Sequence, residues 1–226
     1  MQKKHVVIIL VVAIIVMIGL IGLWIFQSDD HDAIKFKQEY ESFNGEKTSS
    51  GKTYMSVEIS RNNKFYYASF DEVMDVLSGT GVIYFGFPEC PWCRNIVPVL
   101  LEAANETSID KIYYFNALSM RDQRTLDADG NIVIEQEGTK EYYQLLEAMS
   151  SVLGPYEGLN DESILRLYFP TVVFVKDGKI LSIHVGTLES QKDPYAGLTT
   201  DQREEIKKIY TDGIHAVLDD LCDMKC

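Results

Sequence analysis

The longest apolar run in the chain comes first: Val6 to Phe26 holds 21 residues without a charge. As a helix this run measures roughly 32 Å, close to the hydrocarbon thickness of a bilayer at about 30 Å. Lys3 and Lys4 precede it, Trp24 stands near its far end, and Asp29, Asp30 and Asp32 follow. The pattern predicts a single transmembrane anchor over 6–26, with residues 1–5 cytoplasmic and the rest of the chain outside. A cleaved signal peptide would have an apolar region of about 7–15 residues ending in a small-x-small site. This run is longer and offers no such site, and no cysteine closes it for lipid attachment.

Beyond the anchor the pattern shortens to globular lengths. Residues 27–52 read as a polar stalk and linker, although Phe36, Tyr40 and Phe43 have helical spacing up to Asn44-Gly45. Tyr54 to Ile59 alternates as a strand. Ser69 followed by Glu72 forms a capping-box pattern ahead of Val73, Val76 and Leu77, a helix ended by Gly79. Val82 to Phe87 is a short apolar segment and predicts a buried strand. Ile96, Val97, Leu100 and Leu101 then repeat at helical spacing, and Ile112 to Ala117 reads as another strand. Asp127 to Asn131 has the start of a calcium loop without its later ligands, so a turn into a short strand at Ile132–Ile134 is the better reading. Tyr142, Leu145, Leu146, Met149, Val152 and Leu153 form a helical stripe ended by Gly154-Pro155, and a second helix is expected from Asp161 to Tyr168. Phe169-Pro170-Thr171 opens a strand to Val175, Lys176-Asp177-Gly178-Lys179 turns it, and Ile180 to Val185 returns. Thr199 or Thr200 caps a last helix with Ile206, Ile209, Tyr210, Ile214, Val217, Leu218 and Leu221 on one face. This order implies an α/β sandwich with a mixed sheet.

Composition changes the picture in two ways. At 46% apolar and 11% aromatic, the chain has the material for a packed core. With 21 basic against 34 acidic residues its net charge is −13, which excludes the basic footprint of a nucleic-acid binder. The four cysteines fall in two close pairs, 90/93 and 222/226, too few for a disulfide scaffold at 226 residues. Cys90-Pro91-Trp92-Cys93 sits where the strand hands over to the helix, with Cys90 at the helix's exposed start. A thiol there meets unpaired N–H groups and the positive dipole end, which favour the thiolate. Glu89 should oppose this and Arg94 assist it. Trp92 and Phe87 suit either an apolar rim for a substrate or local packing. Cys222 and Cys226, four apart at a helix end, are within disulfide reach and read as a structural staple. A zinc site built from all four thiols is the competing reading. None of the histidines (5, 31, 184, 215) has an evident partner, and His184 within a strand reads as structural.

Taken together, these residues resemble the thioredoxin family. The strand, the Cys90–Cys93 pair and Pro98 are similar to that family's strand, motif and kinked active-site helix. Pro170-Thr171 with its hairpin is similar to the family's cis-proline strand. The resemblance covers roughly residues 53–222 and implies a thioredoxin-like three-layer sandwich over 53–226. Cys93 and Pro170 lie 77 positions apart, so residues 118–160 are expected as a helical insertion before the cis-proline strand. By the same resemblance the bond before Pro170 is cis, and Phe169, Pro170 and Trp92 bind an extended protein substrate beside Cys90. Two departures stand out. Tyr84 occupies the position of the family's buried acid, and the Gly-Gly glutathione site after the proline strand is missing. The implied activity is membrane-tethered thiol–disulfide exchange on extracytoplasmic proteins. Cys90 and Cys93 would be catalytic, with no cofactor or metal, protein thiols and disulfides as substrates, and a membrane or extracellular redox partner. A non-catalytic accessory of a membrane export system is the alternative. Oxidase, reductase and isomerase directions stay open.

Overall fold

The computed structural model describes residues 31–218 together with Ile14 and Met17. The anchor expected over 6–26 otherwise falls outside the described residues, as do Cys222 and Cys226 with their expected disulfide. Among the described residues no helix is long and apolar enough to cross a membrane.

The strands are β1 (Phe65–Tyr67), β2 (Gly81–Phe85), β3 (Ile112–Phe115), β4 (Gln123–Leu126), β5 (Ile132–Gln136), β6 (Thr171–Lys176) and β7 (Lys179–Val185). The helices are α1 (31–41), α2 (Phe70–Ser78), α3 (Pro91–Glu106), α4 (Lys140–Ala148) and α5 (Thr200–Leu218). Five strands make one sheet in the order β1-β3-β2-β6-β7. The first three are mutually parallel, and β6 and β7 each run antiparallel to the strand before them in that order. The mixed sheet agrees with the architecture that the resemblance implies.

Strand period 2 decides which side chain goes where. Val82, Tyr84, Val172 and Phe174 face a core shared with Phe36 and Tyr40 of α1, Ile96 to Leu101 of α3, and Ile206, Tyr210 and Ile214 of α5. Ile83, Phe85, Val173 and Val175 face the opposite core, with Val73 and Val76 of α2 and Tyr142 and Leu145 of α4. The capping box at Ser69 and Glu72 forms as its pattern predicts. So does the capped start of α5, where the Thr199 hydroxyl accepts from the Gln202 amide.

Five expectations need correction. First, the segment from His31 on is no stalk: residues 31–41 are helical, Phe36 and Tyr40 are fully buried, and Phe36 stacks on Tyr40 and Phe65. The helical spacing of Phe36 and Tyr40 holds, and with Ala33 they are buried in the core rather than belonging to a linker. Second, Tyr54–Ile59 is extended but not a strand, because side chains take its ladder bonds. The Asn44 amide accepts from Val57 N–H (2.9 Å) and donates to its carbonyl (2.8 Å), and Glu41 accepts from Ile59 N–H (2.8 Å). Third, β1 fills the sheet edge instead, from three aromatic residues too short to show a period. Fourth, no helix forms over 161–168. The Asp161 carboxylate binds the Ser163 amide and hydroxyl, a local turn that competes with helix, and Pro155 bridges Leu165. Fifth, the insertion is not purely helical: it contributes the β4–β5 hairpin as well as α4. The turn predicted at Asp127–Asn131 closes that hairpin, with Asp127 accepting from the Asp129 and Asn131 amides.

Candidate active site

The site lies where β2 ends and α3 begins. Pro91 is the first residue of α3, where its missing N–H costs nothing and its fixed φ suits the helix. Cys90 is therefore the N-cap, a position that ordinarily takes a side-chain oxygen. Its sulfur fills that role by accepting the Cys93 amide at 3.3 Å. Both cysteines are free thiols. Cys90 is only 5% exposed and Cys93 wholly buried, so Cys90 is more enclosed than a bare helix start implies. The enclosure comes from the strand opposite. The Phe169–Pro170 peptide is cis, as expected, and the Phe169 carbonyl lies 3.8 Å from the Cys90 sulfur, in position to accept its S–H.

The two thiols have opposite acidities. Cys90 is held below the ordinary thiol range, first by a hydrogen bond from the Cys93 thiol and then by the Cys93 and Trp92 amides and the Arg121 charge; burial opposes them. Cys93 is pushed well above that range by burial and by the neighbouring Cys90 sulfur, while Tyr84 pulls the other way. The arrangement makes Cys90 the more acidic thiol and Cys93 the less acidic one behind it. Pairs of groups pushed apart in this way mark sites that divide attack from resolution.

Around the sulfurs, Phe87 meets Phe169 edge-on at 5.6 Å and Trp92 is half-buried against the core. Phe169, Pro170 and Trp92 are thus brought to Cys90, and Pro98 stands inside α3 about two turns further on. Arg94 does not assist Cys90 as its position suggested. Its guanidinium turns inward, wholly buried, and donates to the carbonyls of Tyr40 (2.7 Å), Met55 (2.7 Å) and Pro88 (3.1 Å). The cation that does face the thiolate is Arg121, from the insertion, which lies 5.0 Å over the Phe169 ring and donates to the Leu167 carbonyl. Nothing in the sequence marks Arg121: it stands 31 positions after Cys90 with no motif around it. Tyr40 is marked in the sequence only by its helical spacing with Phe36 and Phe43, not as a site residue. Its hydroxyl sits 2.8 Å from that of Tyr84, both residues fully buried. His184, unpartnered by sequence, places Nδ1 3.0 Å from the Tyr210 hydroxyl. Among the described residues no cluster of side chains could hold a metal ion.

No family model matches the chain, and no curated protein does. Among solved structures it is similar to a thioredoxin. That structure, the crystal structure of thioredoxin from Aeropyrum pernix, is 19% identical, with 64% of this chain and 86% of that one covered and a TM-score of 0.32.

The geometry can carry out a two-step exchange. Cys90, the more exposed of the two thiols, lies beside an aromatic rim and the cis-proline segment. Cys93 lies directly behind it, shielded from competing substrates. An outer thiol with a small exposed face and a wholly buried inner one give a mixed disulfide that resolves inside the protein.

Proposed function

We propose that the chain is a thiol–disulfide oxidoreductase acting on protein substrates. The observation that carries this reading is geometric: the Cys90 sulfur caps α3 by accepting the Cys93 amide at 3.3 Å and lies 3.8 Å from the Phe169 carbonyl of the cis Phe169–Pro170 peptide. In the reducing direction the Cys90 thiolate attacks a substrate disulfide and releases one substrate sulfur as thiolate. Cys93 then attacks the Cys90 sulfur and releases the second. The substrate disulfide gains two electrons, the dithiol loses two and becomes a disulfide, and the Cys93 proton leaves with the substrate. The reverse sequence oxidises a substrate dithiol. Trp92, Phe87 and Phe169 would hold the extended substrate.

The test is direct. Cys90→Ala should abolish reduction of insulin, and Cys93→Ser should accumulate a mixed disulfide with substrate. Retained activity in the first variant would overturn the reading. The Cys90–Cys93 reduction potential then assigns direction: near −270 mV for a reductase and near −120 mV for an oxidase, values typical of those two classes.

The reading places this domain outside the membrane on a single N-terminal anchor. What supports it is the uncharged run of Val6 to Phe26 behind Lys3 and Lys4. An outer compartment is also where protein disulfides persist. Retention in the membrane fraction after alkaline extraction tests the anchor.

A further inference from the structure

One buried polar group beside the sulfurs has no part in the exchange just described: the hydroxyl pair of Tyr40 and Tyr84. Both side chains are fully buried, their oxygens are 2.8 Å apart, and they pack in one core with Cys93, where burial disfavours the Cys93 thiolate and the Tyr84 hydroxyl favours it. Gly86 makes room for this. A Cβ there would overlap the Tyr84 hydroxyl and ring, so the chain folds back over its own tyrosine only because residue 86 has no side chain. Tyr40 is held from two sides. Its ring stacks on Phe36 at 4.4 Å, and its carbonyl accepts from Arg94, the residue after Cys93. α1 is thereby fastened to the first turn of α3.

We propose that this pair serves the resolving step, with Tyr84 donating its O–H to the Cys93 sulfur as it becomes a thiolate and Tyr40 holding Tyr84 in that orientation by donating to its oxygen. Tyr84 is then a catalytic residue, and Tyr40 a positioning residue acting through it. The inference rests on the exchange activity proposed above and deepens it.

The donor count fits this assignment. A phenol oxygen can accept one hydrogen bond while donating another. The line Tyr40 O–H to Tyr84 O, then Tyr84 O–H to sulfur, satisfies both hydroxyls with one charge at its end. A bond to an ionised partner is the stronger kind, and a preceding donor polarises it further. Burial pushes both phenols well above their ordinary range, so neither takes the proton from Cys93. That proton leaves with the departing substrate sulfur: Cys93 forms a bond to the Cys90 sulfur, the mixed disulfide breaks, and the released thiolate becomes a thiol. The pair stabilises charge without accepting it. The other titratable groups set against the Cys93 sulfur are Cys90 on α3, Tyr114 on β3 and Tyr210 on α5.

The experiment compares wild type with Tyr84→Phe, Tyr40→Phe and the double variant, each checked for native circular dichroism and thermal midpoint. Single-turnover decay of a preformed mixed disulfide on Cys90 should slow on the order of tenfold to a hundredfold in Tyr84→Phe and less in Tyr40→Phe. The double variant should match Tyr84→Phe alone, since Tyr40 acts only through it. The rate of Cys90 alkylation should hardly move in any of them. A second readout needs no substrate. In a chain carrying Cys90→Ala, Cys222→Ser and Cys226→Ser, ultraviolet thiolate absorbance follows Cys93 alone, and Tyr84→Phe should shift its titration to higher pH. Wild-type decay rates together with an unmoved Cys93 titration would overturn the inference. Wild type that never forms a mixed disulfide would sink the exchange activity instead, and the Cys93 titration would still decide the tyrosine pair.

Discussion

At the scale of single residues, a cation that the motif does not contain adds to the acidity of Cys90. Arg121 of the insertion lies over Phe169, whose carbonyl stands beside the Cys90 sulfur, and its charge is the least of the influences that favour the thiolate there, after the Cys93 thiol and the Cys93 and Trp92 amides. Removing the charge while keeping a polar chain, as in Arg121→Gln, should raise the Cys90 pKa toward the ordinary thiol value of about 8.5. The sign follows from the cause: a nearby positive charge favours the thiolate, so its loss favours the thiol. At pH 7 the thiolate fraction falls, and alkylation of Cys90 should slow several-fold. Above both titrations the two proteins should react alike. Following alkylation from pH 5 to 10 checks this, and coinciding profiles would remove Arg121 from the site. Arg94 gives the contrasting case. Adjacent to Cys93 in sequence, it turns its guanidinium into carbonyls and serves the backbone rather than the thiols.

At the scale of elements, the central packing is a helix laid close on a strand. Gly213 of α5 faces Phe174 of β6, and a Cβ at 213 would stand 2.6 Å from the ring. Phe174 is 1% exposed and has nowhere to retreat. Gly213→Ala should therefore destabilise by about 1–3 kcal/mol through overpacking, despite alanine's better helix propensity. Urea unfolding measures it, and an unchanged midpoint would mean that α5 lifts freely. Elements of this kind were largely legible in the chain. α3, β2, β6, β7 and α5 carry strong apolar periods with caps or turns at their ends, and the cis bond before Pro170 follows from the resemblance. What the chain did not disclose has a common cause. β1 is three aromatic residues, and the 54–59 segment is bonded by Asn44 and Glu41 side chains from at least 13 positions away. Short elements have no period to read, and side-chain bonds between distant residues leave no trace in spacing. The same holds for the site: Cys90, Cys93 and Phe169 announce themselves, whereas Tyr40 and Arg121 join only through the fold.

At the scale of the whole molecule, net charge and apolar length make opposite predictions about membrane attachment, and they can be separated. The chain carries −13 overall, with its only early basic pair, Lys3 and Lys4, ahead of the apolar run. An anionic lipid surface repels such a body, so surface electrostatics cannot hold it there. On the proposed anchor, attachment comes from burying Val6 to Phe26 in hydrocarbon, where each buried methylene contributes about 0.8 kcal/mol and salt has no leverage. The full-length protein should accordingly stay in the membrane fraction through high salt and alkaline extraction and leave only with detergent. Deleting residues 6–26 should release it without loss of insulin reduction. Every group placed at the site lies between Tyr40 and Pro170, within a body whose core is complete from α1 to α5. Release by salt alone would show a peripheral attachment through some other surface. Loss of activity in the shortened chain, with the fold intact, would show that the anchor does more than tether the exchange site.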